Sequence, residues 1–124
     1  MPLLNYKLYK YETNMGKYQL GEFEEIVMLT VAILGEEAYG LSIVDDIEKR
    51  MNRKVTIGSV QTVLRRLEEK GLLTSKFGEA TQVRGGKRKR YFSVSHSGQI
   101  MLSEFKQQRQ QLWNLIPFLQ YTKY

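Results

Sequence analysis

The chain has 124 residues, a hydrophobic content of 42%, one histidine and no cysteine. This size and composition predict one compact domain with a single core rather than a disordered chain. The lack of cysteine excludes disulfides and thiolate chemistry, and a single histidine excludes a histidine-rich metal site. No run approaches the ~18 apolar residues of a membrane span. Neither a membrane partner nor a metal or other cofactor is therefore expected.

The formal net charge is +6, and the charged residues are unevenly distributed. Acidic residues dominate from Glu22 to Glu48, where no lysine or arginine occurs, and basic residues dominate from Lys49 to Arg90. Such a charge distribution would steer an anionic polymer to one face of the molecule. Charge alone leaves open the alternative of a merely soluble basic protein.

Residues 1–19 contain four tyrosines without a clear period, and we interpret them as an N-terminal arm or an extra helix. Three amphipathic helices are then predicted between Gly21 and Gly71, because apolar residues recur there at helical spacing. Thr56 or Ser59 is suited to cap the third helix, and Gly71 ends it. Its apolar residues lie within ~50° of one direction. They are Val60, Val63, Leu64 and Leu67.

Two short β-prone segments follow, "LLTSKF" at 72–77 and "RYFSV" at 90–94. They predict a β-hairpin whose tip is the glycine-containing stretch "GEATQVRGGK". Ser95 is suited to cap a last helix that starts near His96, and Pro117 bends or ends that helix. A broken apolar stripe is predicted along it at Met101, Phe105, Leu112, Ile116 and Leu119.

This order of elements predicts a mainly α fold of the α+β class, a winged helix-turn-helix with a C-terminal helix. In such a fold the third helix buries its apolar stripe and offers its polar face to the major groove of DNA. The basic hairpin tip, called the wing, reaches the neighbouring backbone or the minor groove. We predict an N-terminal arm over 1–19, a DNA-binding domain over 20–97 and a C-terminal dimerisation helix over 98–124.

Three ordered motifs resemble the PadR family of bacterial transcriptional regulators. They are "AYGLSIVDDIE" in the second helix, "IGSVQTVLRRLEEKGLL" in the third helix and "RGGKRKRYFSVSHSG" in the wing. The resemblance runs from about Leu20 to Gly98. It implies a cytoplasmic homodimer, usually a repressor, whose C-terminal helix makes much of the dimer contact. The partner implied is an inverted-repeat operator in double-stranded DNA.

The predicted helix face and the resemblance together assign the DNA contacts. The candidates on the recognition helix are Ser59, Gln61, Thr62, Arg65 and Arg66. The candidates in the wing and its flanks are Tyr39, Lys76, Arg84, Lys87, Arg88 and Lys89. The alternatives are a solvated helix face, with Glu69 as the i+4 partner of Arg65, and a mobile charged loop. Tyr39 is as well suited to packing as to a phosphate contact.

Two residues depart from what the resemblance implies. The family usually carries a tyrosine where this chain has Gln61, which leaves the operator open, although glutamine pairs with adenine in the major groove. Some PadR-like regulators bind planar aromatic compounds against a tryptophan of the last helix. Trp113 falls about one turn later than that resemblance would place it. It is a candidate contact for a small aromatic effector, and a dimer or surface anchor is the preferred interpretation.

Catalysis finds no support in the sequence, because it contains no nucleophile–base pairing and no phosphate-binding glycine loop. His96 is interpreted as a helix-start residue without chemistry. The main alternative to a DNA-binding regulator is a winged-helix module that uses the same surface to bind another protein and has no specific operator.

Overall fold

The computed structural model describes residues 20–79 and 88–117. Within these ranges the helices are α1 (Glu22–Leu34), α2 (Gly40–Met51), α3 (Ile57–Glu69) and α4 (His96–Asn114). The strands are β1 (Leu73–Phe77) and β2 (Arg90–Val94), and a short 3-10 turn, Gly35–Glu37, links α1 to α2. The predicted order of three helices, two strands and a long helix is confirmed. The predicted arm over 1–19 and the wing tip lie outside the described residues.

The ends of α3 and α4 follow the local signals in the sequence. Thr56 caps α3, because its Oγ1 accepts a hydrogen bond from the backbone N–H of Ser59 at 3.1 Å. Gly71 follows α3 with a φ of +77°, a conformation that glycine adopts without a steric penalty. Ser95 caps α4, because its Oγ accepts from the N–H of Gly98 at 3.0 Å. The last helix ends at Asn114, shortly before Pro117.

The core lies between α1, α2, α3 and the base of the hairpin. The predicted stripe of α3 is confirmed, since Val60, Val63, Leu64 and Leu67 are all buried. The other buried apolar residues are Val27, Met28, Val31, Ala38, Ile43, Ile47, Leu72, Leu73, Phe92 and Met101. Along α4 the predicted stripe holds only near its start, because Leu112 is 65% exposed. The second half of α4 extends past the buried core, and Trp113 there shares a groove with Leu29 and Phe105 while remaining 55% exposed. Ile116 follows the end of α4 and is half-buried, and Leu119 lies outside the described residues.

The hairpin is antiparallel, with Leu73 opposite Val94 and Phe77 opposite Arg90. It is fastened to the helices by backbone hydrogen bonds. The N–H of Phe92 donates to the carbonyl of Ala38 at 2.8 Å, which ties β2 to the connection between α1 and α2. The position of the wing relative to α3 is therefore set at the base of the hairpin.

The first turn of α1 is joined to three other parts of the chain by ion pairs. Glu22 pairs with Arg53 of the connection between α2 and α3 at 2.7 Å, and Glu24 pairs with Lys70, just after α3, at 3.2 Å. Glu25 pairs with Arg109 of α4. Each such surface pair is worth about 0–1 kcal/mol. They orient the helices more than they stabilise the fold.

No single helix in residues 20–79 and 88–117 combines the length and hydropathy needed to cross a membrane. The helical segments Glu22–Glu37 and Gly40–Met51 reach those values only as a pair bent by 119°. The same ranges contain no cluster of histidine, cysteine or carboxylate side chains that could hold a metal ion.

Candidate DNA-binding surface

The solvent face of α3 carries the five residues predicted on the recognition helix. Ser59, Gln61, Arg65 and Arg66 are exposed, and Thr62 is half-buried. This face exists because the apolar stripe of α3 turns inward against α1 and α2. The result is a helix surface with two guanidinium groups and one amide on a single side.

Hydrogen bonds within α3 limit what two of these side chains present. The Ser59 hydroxyl donates to the carbonyl of Thr56 at 2.9 Å, and the Thr62 hydroxyl donates to the carbonyl of Gly58 at 2.9 Å. Both hydroxyls therefore have their proton engaged locally and face solvent mainly as acceptors and as apolar surface. Among residues 20–79 and 88–117, the side chains of Gln61 and Arg65 donate no hydrogen bond, so their donors face outward.

Arg65 and Arg66 form no ion pair with any residue in the described part of the chain. The alternative in which Glu69 neutralises Arg65 across one helical turn is thus not adopted. Unpaired arginines are well suited to bidentate contacts with guanine or phosphate.

Tyr39 lies at the start of α2 and packs against the wing. Its ring meets the ring of Tyr91 edge-on, with centroids 5.6 Å apart and an interplanar angle of 70°. Lys89 Nζ lies 4.3 Å from the centroid of the Tyr39 ring. The ring of Tyr39 is therefore used in packing, as one of the two alternatives predicted. Its contact with the Lys89 ammonium group also holds this lysine of the wing beside α2.

The wing residues are placed in part. Lys76 is exposed on β1, opposite Tyr91 in the strand register, and Arg88 is exposed just before β2. Arg84 and Lys87 lie outside the described residues. Of the predicted contacts, Gln61 and Arg65 line one cleft with Arg90 and Phe92 of β2, whereas Lys76 lies on the other face of the hairpin, beside Tyr91.

A cleft of about 320 Å³ separates α3 from the base of the wing, and we call it the α3–wing cleft. Its lining residues are Gly40, Gln61, Leu64, Arg65, Glu68, Arg90 and Phe92. Gly40 keeps α2 close to α3 here, because a side chain at this position would lie 2.9 Å from Ile57 Cδ1. The cleft joins two predicted residues, Gln61 and Arg65, to two that sequence reasoning missed, Glu68 and Arg90. The signal for Arg90 was its place at the end of the basic run "RGGKRKR".

Trp113 lies on a different surface, in a groove of about 540 Å³ between α1 and α4 that we call the α1–α4 groove. It is 55% exposed. The residues lining the groove are Glu25, Leu29, Leu102, Ser103, Phe105, Lys106, Arg109, Gln110 and Trp113. Trp113 is therefore remote in the fold from the recognition helix, and its surroundings are largely apolar.

A family model described as the transcriptional regulator PadR-like family matches residues 28–104, more than half of the chain. The chain belongs to the PadR-like family. Its matched region contains α2, α3, both strands and the start of α4. The chain is thus a DNA-binding transcriptional regulator with a winged helix-turn-helix, and its family is not one of enzymes.

Solved structures show the same fold. A PadR-like transcription factor from Bacteroides fragilis is 23% identical, with a TM-score of 0.66 over 90% of this chain and 97% of that one. A PadR family regulator from Clostridium difficile is 26% identical, with a TM-score of 0.60 over 76% and 96%. Bacillus subtilis PadR, solved with operator DNA, is 15% identical, with a TM-score of 0.58 over 70% and 48%. No curated protein matches the chain.

Proposed function

We propose that this PadR-like regulator is a cytoplasmic repressor that binds an inverted-repeat operator in double-stranded DNA as a homodimer. The observation that carries the proposal is the solvent face of α3. Gln61, Arg65 and Arg66 are exposed there, next to the positively charged start of the wing. A repressor acts by occupying its operator. Its function therefore depends on its affinity for the operator and on how that affinity is reduced when the gene is to be expressed.

The geometry supports a division of work between α3 and the wing. The major groove admits one helix, and α3 offers Gln61, Thr62 and Arg65 to base edges. Arginine pairs with guanine and glutamine with adenine in that groove. The residues proposed to contact phosphates are Ser59, Arg66, Tyr39, Lys76, Arg84, Lys87, Arg88 and Lys89. Phosphate contacts give affinity, and base contacts give sequence preference.

The Bacillus subtilis relative supports the assignment of operator DNA as the partner, since its structure holds operator DNA. This chain spans about half of that protein. The shared fold places a third helix and a wing in the same order in both proteins, and the exposed arginines of α3 supply the charge that this use of the fold requires.

The proposed dimer uses the apolar surface of α1 and the second half of α4. Large apolar side chains are exposed there and at the residue that follows α4, and Leu29 and Trp113 among them line one groove. Exposed apolar surface of this kind marks an interaction site. The exposed side chains are Leu29, Ile33, Leu112, Trp113 and Leu115, with exposed fractions of 44%, 55%, 65%, 55% and 73%. Two copies joined in this way would present recognition helices to successive major grooves, ~34–36 Å apart. A small aromatic effector bound in the α1–α4 groove beside Trp113 would act by changing that spacing.

Leu29→Glu is expected to weaken the dimer at least about tenfold, because taking a carboxylate out of water when the two copies meet costs free energy that an apolar leucine does not. The fold itself should persist, since Leu29 is 44% exposed in the single chain. Analytical ultracentrifugation over a concentration series measures the change. Ser97→Glu adds the same charge at an exposed position in the first turn of α4, away from the proposed interface, and should leave the dimer intact. An unchanged dimer constant for Leu29→Glu would place the interface elsewhere.

The function is tested by fluorescence anisotropy with DNA from upstream of the protein's own gene and with a scrambled duplex, across a salt series. We expect tighter binding to the upstream duplex, with a preference that persists as salt rises, because base contacts depend less on salt than phosphate contacts. Equal and salt-sensitive binding to both duplexes would contradict a local operator. If no salt-dependent DNA binding were found at all, the alternative of a protein-interaction module would be favoured. The observation behind that alternative is Gln61, which stands where the family usually has a tyrosine.

A further inference from the structure

We propose that Arg90 is a phosphate-binding residue of this surface, held ready in the α3–wing cleft by Ser75, Glu68 and Phe77. The inference rests on the proposed binding of double-stranded DNA and adds a contact to it. Arg90 would hold the backbone phosphate that passes between the recognition helix and the wing. Ser75, Glu68 and Phe77 would be positioning residues that do not touch DNA themselves.

The register of the hairpin brings these groups to one face. Phe77 lies opposite Arg90, and Ser75 lies opposite Phe92, so the four side chains share the side of the ribbon that is buried at Phe92. That side is turned toward α3. Arg90, although it belongs to the wing, is thereby directed into the cleft and not away from the recognition helix.

A hydrogen-bonded chain fixes the guanidinium of Arg90. Its Nε donates to Ser75 Oγ at 2.9 Å, and Ser75 Oγ donates in turn to Glu68 Oε2 at 2.5 Å. The Arg90 guanidinium carbon lies 4.8 Å from the centroid of the Phe77 ring. Phe77 is 56% exposed, so the Arg90 guanidinium lies over a ring at the surface of the hairpin. The chain links α3, β1 and β2 through three side chains.

What remains free on Arg90 is the pair of Nη groups. Within residues 20–79 and 88–117, neither Nη donates a hydrogen bond and Arg90 forms no ion pair. Arg65 lines the same cleft from α3 and is also without an ion pair in those ranges. Glu68 also lines the cleft, and its Oε2 accepts the hydrogen bond from Ser75, so the cleft holds two guanidinium groups and one carboxylate. Two guanidinium groups with free donors therefore face one open space.

Phosphate is the ligand that this arrangement fits. A guanidinium presents its donors as a planar fork that matches two phosphate oxygens, and its charge is permanent. An arginine whose Nε and ring face are already fixed loses less freedom on binding than one on an unsupported side chain. Because the cleft opens between the helix that enters the major groove and the wing, the phosphate belongs to the strand that borders that groove.

The experiment scans the DNA backbone for this phosphate. The wild-type protein first selects its preferred duplex from a random library, and each phosphate of that duplex is then replaced in turn by a neutral methylphosphonate. For the wild type we expect a loss of affinity of about tenfold at one phosphate in each half-site. Arg90→Gln should bind the unmodified duplex about tenfold more weakly, and replacement of that same phosphate should have no further effect.

Three further variants separate contact from positioning. Arg90→Lys keeps the charge and loses the fork, so the dependence of its affinity on salt should stay near that of the wild type. For Arg90→Gln the slope of that salt dependence should fall by about the contribution of one phosphate contact per half-site. Ser75→Ala keeps Arg90 and should bind about threefold more weakly while retaining the penalty at the same phosphate. Arg50→Gln is the matched control, because Arg50 Nε is likewise anchored, by Asp46 on α2, but outside the cleft. Thermal unfolding checks that each variant is folded.

Two results are distinguishable. If the wild type selects a duplex but Arg90→Gln keeps every methylphosphonate penalty, the assignment of Arg90 is overturned and the proposed function stands. If the wild type selects no sequence and shows no phosphate-dependent binding, the proposed function fails and the Arg90 assignment fails with it.

Discussion

Gly98→Ala is expected to destabilise the fold by about 3 kcal/mol, at the upper end of the usual cost of overpacking a well-filled site. Gly98 lies in the first turn of α4 and is buried. A Cβ at this position would overlap the carbonyl oxygen of Leu72 and lie 2.8 Å from Val94 Cγ1. The carbonyl of Leu72 cannot move freely, because it accepts the N–H of Ser95 at 3.0 Å. The whole start of α4 would have to shift away from the hairpin.

Chemical denaturation followed by circular dichroism measures this change. Gly58→Ala is the matched control, because Gly58 also lies near the start of a helix but a Cβ there would meet no atom within 4 Å. Alanine there should stabilise α3 by about 0.5–1 kcal/mol. Equal denaturation midpoints for the two variants would show that α4 does not approach Leu72 as closely as described.

Arg65→Ala is expected to reduce the preference for the operator over random DNA by about 1–3 kcal/mol, or roughly 5–150-fold. Arg65 is exposed on the solvent face of α3, and no residue in the described ranges neutralises it. Its free fork is suited to pair with guanine in the major groove. Arg88→Ala should act differently, because Arg88 lies at the entry to β2 and carries only charge to the backbone.

Anisotropy titrations with operator and random duplexes at several salt concentrations separate the two effects. Arg88→Ala should weaken binding to every duplex by a similar factor and lower the salt slope by about 1 for each half-site. Arg65→Ala should change mainly the ratio between the duplexes. Equal losses on operator and random DNA for Arg65→Ala would remove it from the base-reading residues and leave it as a phosphate contact.

The elements of this fold were predictable because their signals are local. The stripe of α3, the caps at Thr56 and Ser95 and the end at Gly71 each depend on residues within one or two helical turns. The position of the exposed α3 face follows from the stripe alone. The same reasoning failed for Leu112, since periodicity predicts an apolar face but does not tell which partner covers it.

The sequence indicated which types of residue form the candidate site but not how these residues are arranged. The basic run "RGGKRKR" indicated a charged wing, but only contact between distant segments distinguishes its members. Lys89 rests on Tyr39 of α2, and Arg90 is bound to Ser75 and turned into the α3–wing cleft. Two neighbouring basic residues thus receive different surroundings, because alternate residues of a strand face opposite sides of the ribbon.

The sequence by itself determined the order of the elements, the limits of α3 and α4, the exposed arginines of α3 and, through its motifs, the PadR family. These features depend on the spacing of apolar residues, on helix caps and on the spacing of motifs, and each of these signals lies within a short segment of the chain. Only the tertiary structure decided that Glu68, Ser75 and Arg90 form one chain of hydrogen bonds and that α4 leaves its apolar end uncovered. Those outcomes depend on how α3, the wing and α4 pack against one another, and packing between elements distant in the chain is not a property of any single segment.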